Sequence, residues 1–176
     1  MKKVLCILAA TAMVMGVQAA EEVKKTEPGQ LGVGYQGLFF ANGLMMNALS
    51  VRWSPEPLGG QVLVGRTTSK NNNNDNEASL LALQGKVFYT LIQRENSQFY
   101  AGGKFGLLFG ESTNAGGNKT DGDGWVLGAL VGTEWRFSEL PEIGFNFEVG
   151  YDLATTDDPD VDLTGITVSL GAHYYF

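Results

Sequence analysis

The last twelve residues, Gly165 to Phe176, alternate. Ile166, Val168, Leu170, Ala172, Tyr174 and Phe176 share one parity. Gly165, Thr167, Ser169, Gly171, His173 and Tyr175 share the other. A period of two places successive side chains on opposite faces, so this segment predicts a β-strand with one apolar face and one small, mostly polar face. The strand ends on a bare aromatic residue. An alternation sustained to the last residue needs a sheet that buries or solvates each face separately, and the rest of the chain supplies the partners.

The same alternation marks eight segments, near 30–40, 44–53, 61–69, 79–93, 98–110, 124–138, 142–154 and 163–176. The seventh is the clearest. Ile143, Phe145, Phe147, Val149, Tyr151 and Leu153 oppose Gly144, Asn146, Glu148, Gly150, Asp152 and Ala154. The third is ambiguous: Val62 and Val64 oppose Leu63, and Arg66 falls on the valine face. In the other strands the charges fall with the small residues. Arg52, Lys86, Lys104, Glu134, Arg136, Glu148, Asp152 and the single histidine, His173, all lie on that face.

This sidedness is the reverse of a soluble barrel, where bulky apolar residues fill the interior and charges coat the outside. A basic side chain facing the middle of a bilayer would cost ~2–4 kcal/mol, whereas inside a narrow barrel opposite charges can pair. The fold expected is therefore all-β, an eight-stranded antiparallel up-and-down transmembrane β-barrel. A closed sheet is one of the two structures that satisfy every backbone group in lipid. A β-sandwich is the competing architecture. The strand lengths and the terminal aromatic weigh against it.

The N-terminus has another character. Lys2 and Lys3 precede the short apolar run Val4 to Val17, as in a secretory signal cleaved after Ala19. Residues 1–19 are read as the signal peptide, 20–29 as a charged periplasmic leader and 30–176 as the barrel domain. Loss of residues 1–19 removes two of the 12 basic residues, none of the 19 acidic ones and the only cysteine, leaving a net charge of −9. That balance argues against nucleic acid, whose phosphates demand Lys and Arg. The absence of cysteine excludes a disulfide framework and a thiolate metal site in the processed chain.

Connections two, four and six are compact. Connections three, five and seven are mostly long and polar, and the first, Ala41-Asn42-Gly43, is short. Trp53, Trp135, Phe137, Tyr174 and Phe176 fall near one end of the strands. Trp125, with Phe39 and Phe109, falls near the other, as two interfacial aromatic girdles would. The signal, the eight strands and the terminal Gly171-Ala172-His173-Tyr174-Tyr175-Phe176 together resemble the small eight-stranded outer-membrane barrels, the family of OmpX and the OmpA transmembrane domain. The resemblance implies a location in the cell outer membrane with both termini periplasmic. It implies contact with outer-membrane lipid and lipopolysaccharide, and reading of the Phe176 signal by the barrel-assembly machinery. It also implies long loops facing outward, where an extracellular partner would bind.

Chemistry is sparse. Asp121, Asp123, Asp157, Asp158 and Asp160 offer hard oxygens in loop-like sequence but lack the full EF-hand pattern, and the plain reading is solvated loop. Ser169 lies four residues from His173, ~13 Å along a strand, so the two cannot form a hydrolase pair. No cofactor and no catalytic role is expected. The leading function is structural: a barrel displaying acidic, polar loops, its lumen plugged by the charge network of Arg52, Lys86, Lys104, Glu134, Arg136, Glu148, Asp152 and His173. A narrow conduit for small or apolar solutes, resembling OmpW-like barrels, is the second reading. A lipid-modifying outer-membrane enzyme is the third.

Overall fold

The computed structural model describes residues 31–40, 45–71, 76–113, 119–156 and 164–176. The expected signal peptide and leader lie outside these residues, as do Asp157, Asp158 and Asp160. Eight strands follow one another: β1 (Leu31–Phe40), β2 (Met45–Trp53), β3 (Leu58–Asn71), β4 (Asn76–Arg94), β5 (Ser97–Thr113), β6 (Lys119–Phe137), β7 (Leu140–Thr156) and β8 (Gly165–Tyr175). Each pairs antiparallel with its sequence neighbours, and β8 pairs with β1 to close the barrel.

Register fixes the shape. The ladder from Gly144 on β7 runs through His173, Gly34, Ser50, Leu63, Gln84, Gly106 and Val126 and returns to β7 at Ala154. The stagger once around is ten residues, from 144 to 154. With eight strands it sets a tilt of about 40° to the barrel axis. The interior is then only wide enough for side chains to fill.

The alternation becomes two faces. Val33, Tyr35, Leu49, Val51, Leu83, Val87, Phe105, Val131, Tyr151 and Leu170 point outward and are exposed, while the intervening residues are buried in the lumen. Strand β3 is resolved by its register: Val62, Val64 and Arg66 face outward, and Gln61, Leu63 and Gly65 face inward. A bulge between Thr90 and Ile92 lets both Leu91 and Ile92 stay exposed near the end of β4.

The compact connections gather at one end, called here the turn end. There the backbone continues past the regular ladder: Thr90 N donates to Pro57 O at 2.8 Å, Arg136 N to Asn96 O at 2.8 Å, and Phe176 N to Leu31 O at 3.1 Å. At the opposite, loop end the strands are unequal. β4 and β6 have 19 residues each, whereas β1 and β2 have 10 and 9. Strands β3 to β7 therefore rise beyond β1, β2 and β8. This corrects the sequence-based boundaries: β5 runs on to Thr113 and β6 begins at Lys119, so Asp121 and Asp123 are strand residues rather than loop residues.

Candidate functional site

The chemistry of the described residues is concentrated in the lumen at the turn end. Strands β2, β4, β6 and β7 bring Arg52, Lys86, Glu134 and Glu148 inward, because each lies on the small-residue parity of its strand. Arg52 is wholly buried. Its Nε lies 2.9 Å from Glu134 Oε2, and its Nη1 lies 3.5 Å from Glu148 Oε1. The first contact is close in distance but off the hydrogen-bond direction, so it acts as a coulombic pair. The guanidinium is flanked by two rings, with centroids 4.2 Å away at Phe88 and 4.7 Å at Tyr100, which keep it dry while offering cation–π attraction.

Glu148 is the hub. Its Oε2 accepts from Lys86 Nζ at 2.5 Å, Ser169 Oγ at 2.9 Å and Gln36 Nε2 at 3.0 Å, and its Oε1 accepts from the Tyr100 hydroxyl at 2.9 Å. Glu134 forms a second centre: Tyr175 donates to Oε2 at 2.7 Å, and Arg136 Nη2 approaches Oε1 at 3.1 Å. Arg136 also stacks on the Tyr175 ring at 3.8 Å. Both inward tyrosines need bare backbone opposite. A Cβ at Gly132 would lie 2.7 Å from the Tyr100 ring, and one at Gly32 or Gly144 would lie 2.8 Å from the Tyr175 ring.

A relay of amides joins the parts, and its direction follows from donor chemistry. Arginine can only donate, so Gln61 presents Oε1 to Arg52 Nη1 at 3.1 Å. Gln61 Nε2 then donates to Gln36 Oε1 at 2.7 Å, and Gln36 Nε2 donates to Glu148 and to Ser169 Oγ. The same Gln61 Nε2 lies 3.2 Å from His173 Nε2, so that ring nitrogen accepts and the ring proton sits on Nδ1. Ser50 Oγ shares a 2.7 Å hydrogen bond with His173 Nε2.

Serine and histidine are thus adjacent, but the serine is Ser50 of β2, which lies beside His173 of β8 over the bare Gly34 of β1, and Ser169 serves Glu148. Among the described residues no carboxylate bonds to His173, and its Nδ1 is buried without a hydrogen-bond partner. Ser50 and His173 are 3% and 1% exposed, so the pair has no opening toward a substrate. This arrangement lacks the oriented base and the accessible nucleophile of a hydrolase triad.

Lys104 and Asp152 stand apart from this network. Their Nζ–Oδ1 distance is 2.7 Å, and Lys104 also donates to Thr167 Oγ1 at 2.9 Å. Beyond them toward the loop end the lumen changes character. Leu38, Met46, Ala48, Leu63, Ala82, Leu108, Val126 and Ala154 form one buried apolar cluster, with Phe40 and Leu80 packed against it.

Trp53, Trp135, Phe137, Tyr174 and Phe176 are exposed outward near the turn end, with Phe145 stacked against Trp135 at 6.1 Å. Trp125 is exposed toward the loop end. Asp121 and Asp123 point outward on β6, paired in register with Glu111 and Phe109 of β5. Among the described residues no grouping of three or more His, Cys, Asp or Glu could hold a metal ion. The sequence analysis missed Gln36, Gln61, Ser50, Tyr100 and Tyr175 as members of the network. Their signal was their inward parity, shared with the charges. It also missed the apolar cap, although Leu38, Met46, Leu63 and Val126 carry the same parity.

No protein-family model matches the chain, and no curated protein matches it. Solved structures do. Neisserial surface protein A superposes with a TM-score of 0.60 at 14% identity, covering 83% of this chain and 94% of that one. A major outer membrane protein from Thermus thermophilus gives 0.53 at 16% identity, covering 83% and 98%. Ail, the attachment invasion locus protein of Yersinia pestis, in complex with the heparin analogue sucrose octasulfate, gives 0.50 at 14%, covering 83% and 95%. At such identities the likeness is one of fold: the chain has the closed eight-stranded architecture of the small outer-membrane β-barrels.

Proposed function

We propose that this protein is a structural outer-membrane barrel, with its termini in the periplasm and its lumen closed, that displays an acidic surface at its loop end. The single observation that carries the reading is the sidedness of the sheet. An apolar wall faces outward over most of the barrel, while Arg52, Lys86, Glu134 and Glu148 are buried and paired within. Such a wall suits hydrocarbon, and such an interior needs no bulk water. The ionic network at the turn end and the apolar cap toward the loop end together leave little room for a solute path. Glu111, Asp121 and Asp123 on the raised strands, with Asp157, Asp158, Asp160 and Asp162 in the sequence beyond β7, make the displayed surface anionic. It is suited to a cationic partner, unlike Ail, whose structure holds a polyanion.

The test combines fractionation with electrical recording. The protein should partition with the outer membrane, migrate faster on gels before boiling than after, and give no steady conductance in planar bilayers. Soluble periplasmic recovery without heat-modifiable migration would overturn the reading. Steady single-channel current from the folded wild-type chain would favour the narrow-conduit alternative.

A further inference from the structure

The outward wall has a polar notch. On β3 the outward row reads Val62, Val64, Arg66 and Thr68, and Arg66 lies in register between Asn47 on β2 and Leu81 on β4. Arg66 and Asn47 are both exposed, and neither side chain bonds to a described residue. Their neighbours on the wall are the apolar Leu49, Met45, Val64 and Leu81, with Thr68 on the loop-end side of Arg66. Gly37 is paired with Asn47 and adds no side chain. A Cβ there would meet nothing nearer than the Phe39 ring at 3.4 Å. One step toward the loop end, Thr68 pairs with Ser79 and the face turns polar. The notch therefore sits where the apolar band of β3 and β4 gives way to polar rows.

We propose that Arg66 and Asn47 form a phosphate-binding site on the lipid-facing wall, occupied by a phosphate of lipid A in the outer leaflet. The proposal rests on the outer-membrane reading above, which places the loop end in that leaflet. An unpaired guanidinium against hydrocarbon is costly, and an anion at this depth removes the cost. The planar fork of arginine matches two phosphate oxygens, and the Asn47 amide supplies a further donor beside it. The bare backbone at Gly37 leaves space for the glycolipid headgroup.

The experiment uses the folded full-length chain, with heat-modifiable migration confirming the barrel in each variant. Native mass spectrometry measures binding of three probes: bisphosphorylated lipid A, the same lipid with its phosphates removed, and phosphatidylglycerol. Arg66→Gln should weaken lipid A binding about tenfold, the scale of one charge-assisted pair. Asn47→Ala should weaken it about threefold, the smaller loss of a neutral donor. Arg94→Gln, at the opposite end, should leave binding unchanged. Lipid A without phosphates should bind the wild type as weakly as lipid A binds Arg66→Gln. Equal affinity of wild type and Arg66→Gln for lipid A overturns the site. Phosphatidylglycerol held as tightly as lipid A through Arg66 overturns the assignment to lipid A. Failure of the chain to fractionate with the outer membrane would sink the functional reading, and the in vitro comparison would still report on the site.

Discussion

The two ends of the lumen are filled by opposite means. Toward the turn end the interior is ionic: Glu134 and Glu148 each gather cations and hydroxyls, and Arg52 is clasped between two rings. Toward the loop end the same parity of the same strands carries Leu38, Met46, Leu63, Leu108 and Val126, which pack together as one apolar cluster. Both ends are buried, but their tolerances differ. A packed apolar cluster loses what a deletion removes plus the cavity left behind. A buried ionic centre that loses one partner leaves the others charged in a dry interior. The ionic end should therefore be the brittle one.

Glu148→Ala tests that difference most severely. The substitution strands Lys86 and part of Arg52 and removes the acceptor of Tyr100, Ser169 and Gln36. The expected loss is ~3–5 kcal/mol in urea unfolding of the refolded barrel, with transient conductance appearing in planar bilayers. Unchanged stability and silent bilayers would show that the network neither supports the fold nor closes the lumen.

The apolar end gives the next effect. Leu63 is almost wholly buried in the cap, and Leu63→Ala should cost ~2–4 kcal/mol by the same assay without creating conductance, because the ionic centre beneath it is intact. A loss larger than that of Glu148→Ala would reverse the comparison and make the cap the main support of the barrel.

How these ends could be seen in the sequence differs as well. The ionic end was legible as charges on the small-residue parity, since Arg52, Lys86, Glu134 and Glu148 interrupt an otherwise bland row. Their partners were not, because Gln36 meets Glu148 across 112 positions of sequence. That meeting depends on the ten-residue stagger, which no local pattern encodes. The cap was hidden for the opposite reason: a leucine facing inward looks like an error in an apolar-outward alternation until several converge. The strand ends near Asp121 and Asp123 were misjudged because beyond the apolar band both faces of a strand are polar. The period-two signal fades there while the hydrogen-bonded ladder continues to Thr113 and Lys119. Arg66 could be placed on the valine face from the sequence, but its lack of partners among the described residues became visible only with the register of β2 and β4.

The boundary between the two ends is the Lys104–Asp152 pair, and it offers the finest discrimination. Lys104 touches Thr167 as well as Asp152, and no member of the Glu148 centre bonds to either residue. Among the described residues neither Asp152 oxygen makes a hydrogen bond, so the pair is incompletely satisfied as an ionic site. Replacing an isolated buried pair with apolar residues of similar volume is often neutral, whereas removing one partner is not. Lys104→Met alone should thus cost ~3 kcal/mol by leaving the buried Asp152 without its partner. Lys104→Met combined with Asp152→Val should return to within about 1 kcal/mol of the wild type, because the new side chains extend the apolar cap downward. Recovery in the double variant would place this level of the lumen with the cap. A double variant as damaged as the single one would place it with the ionic centre, and the division of the interior would then lie one layer closer to the loops.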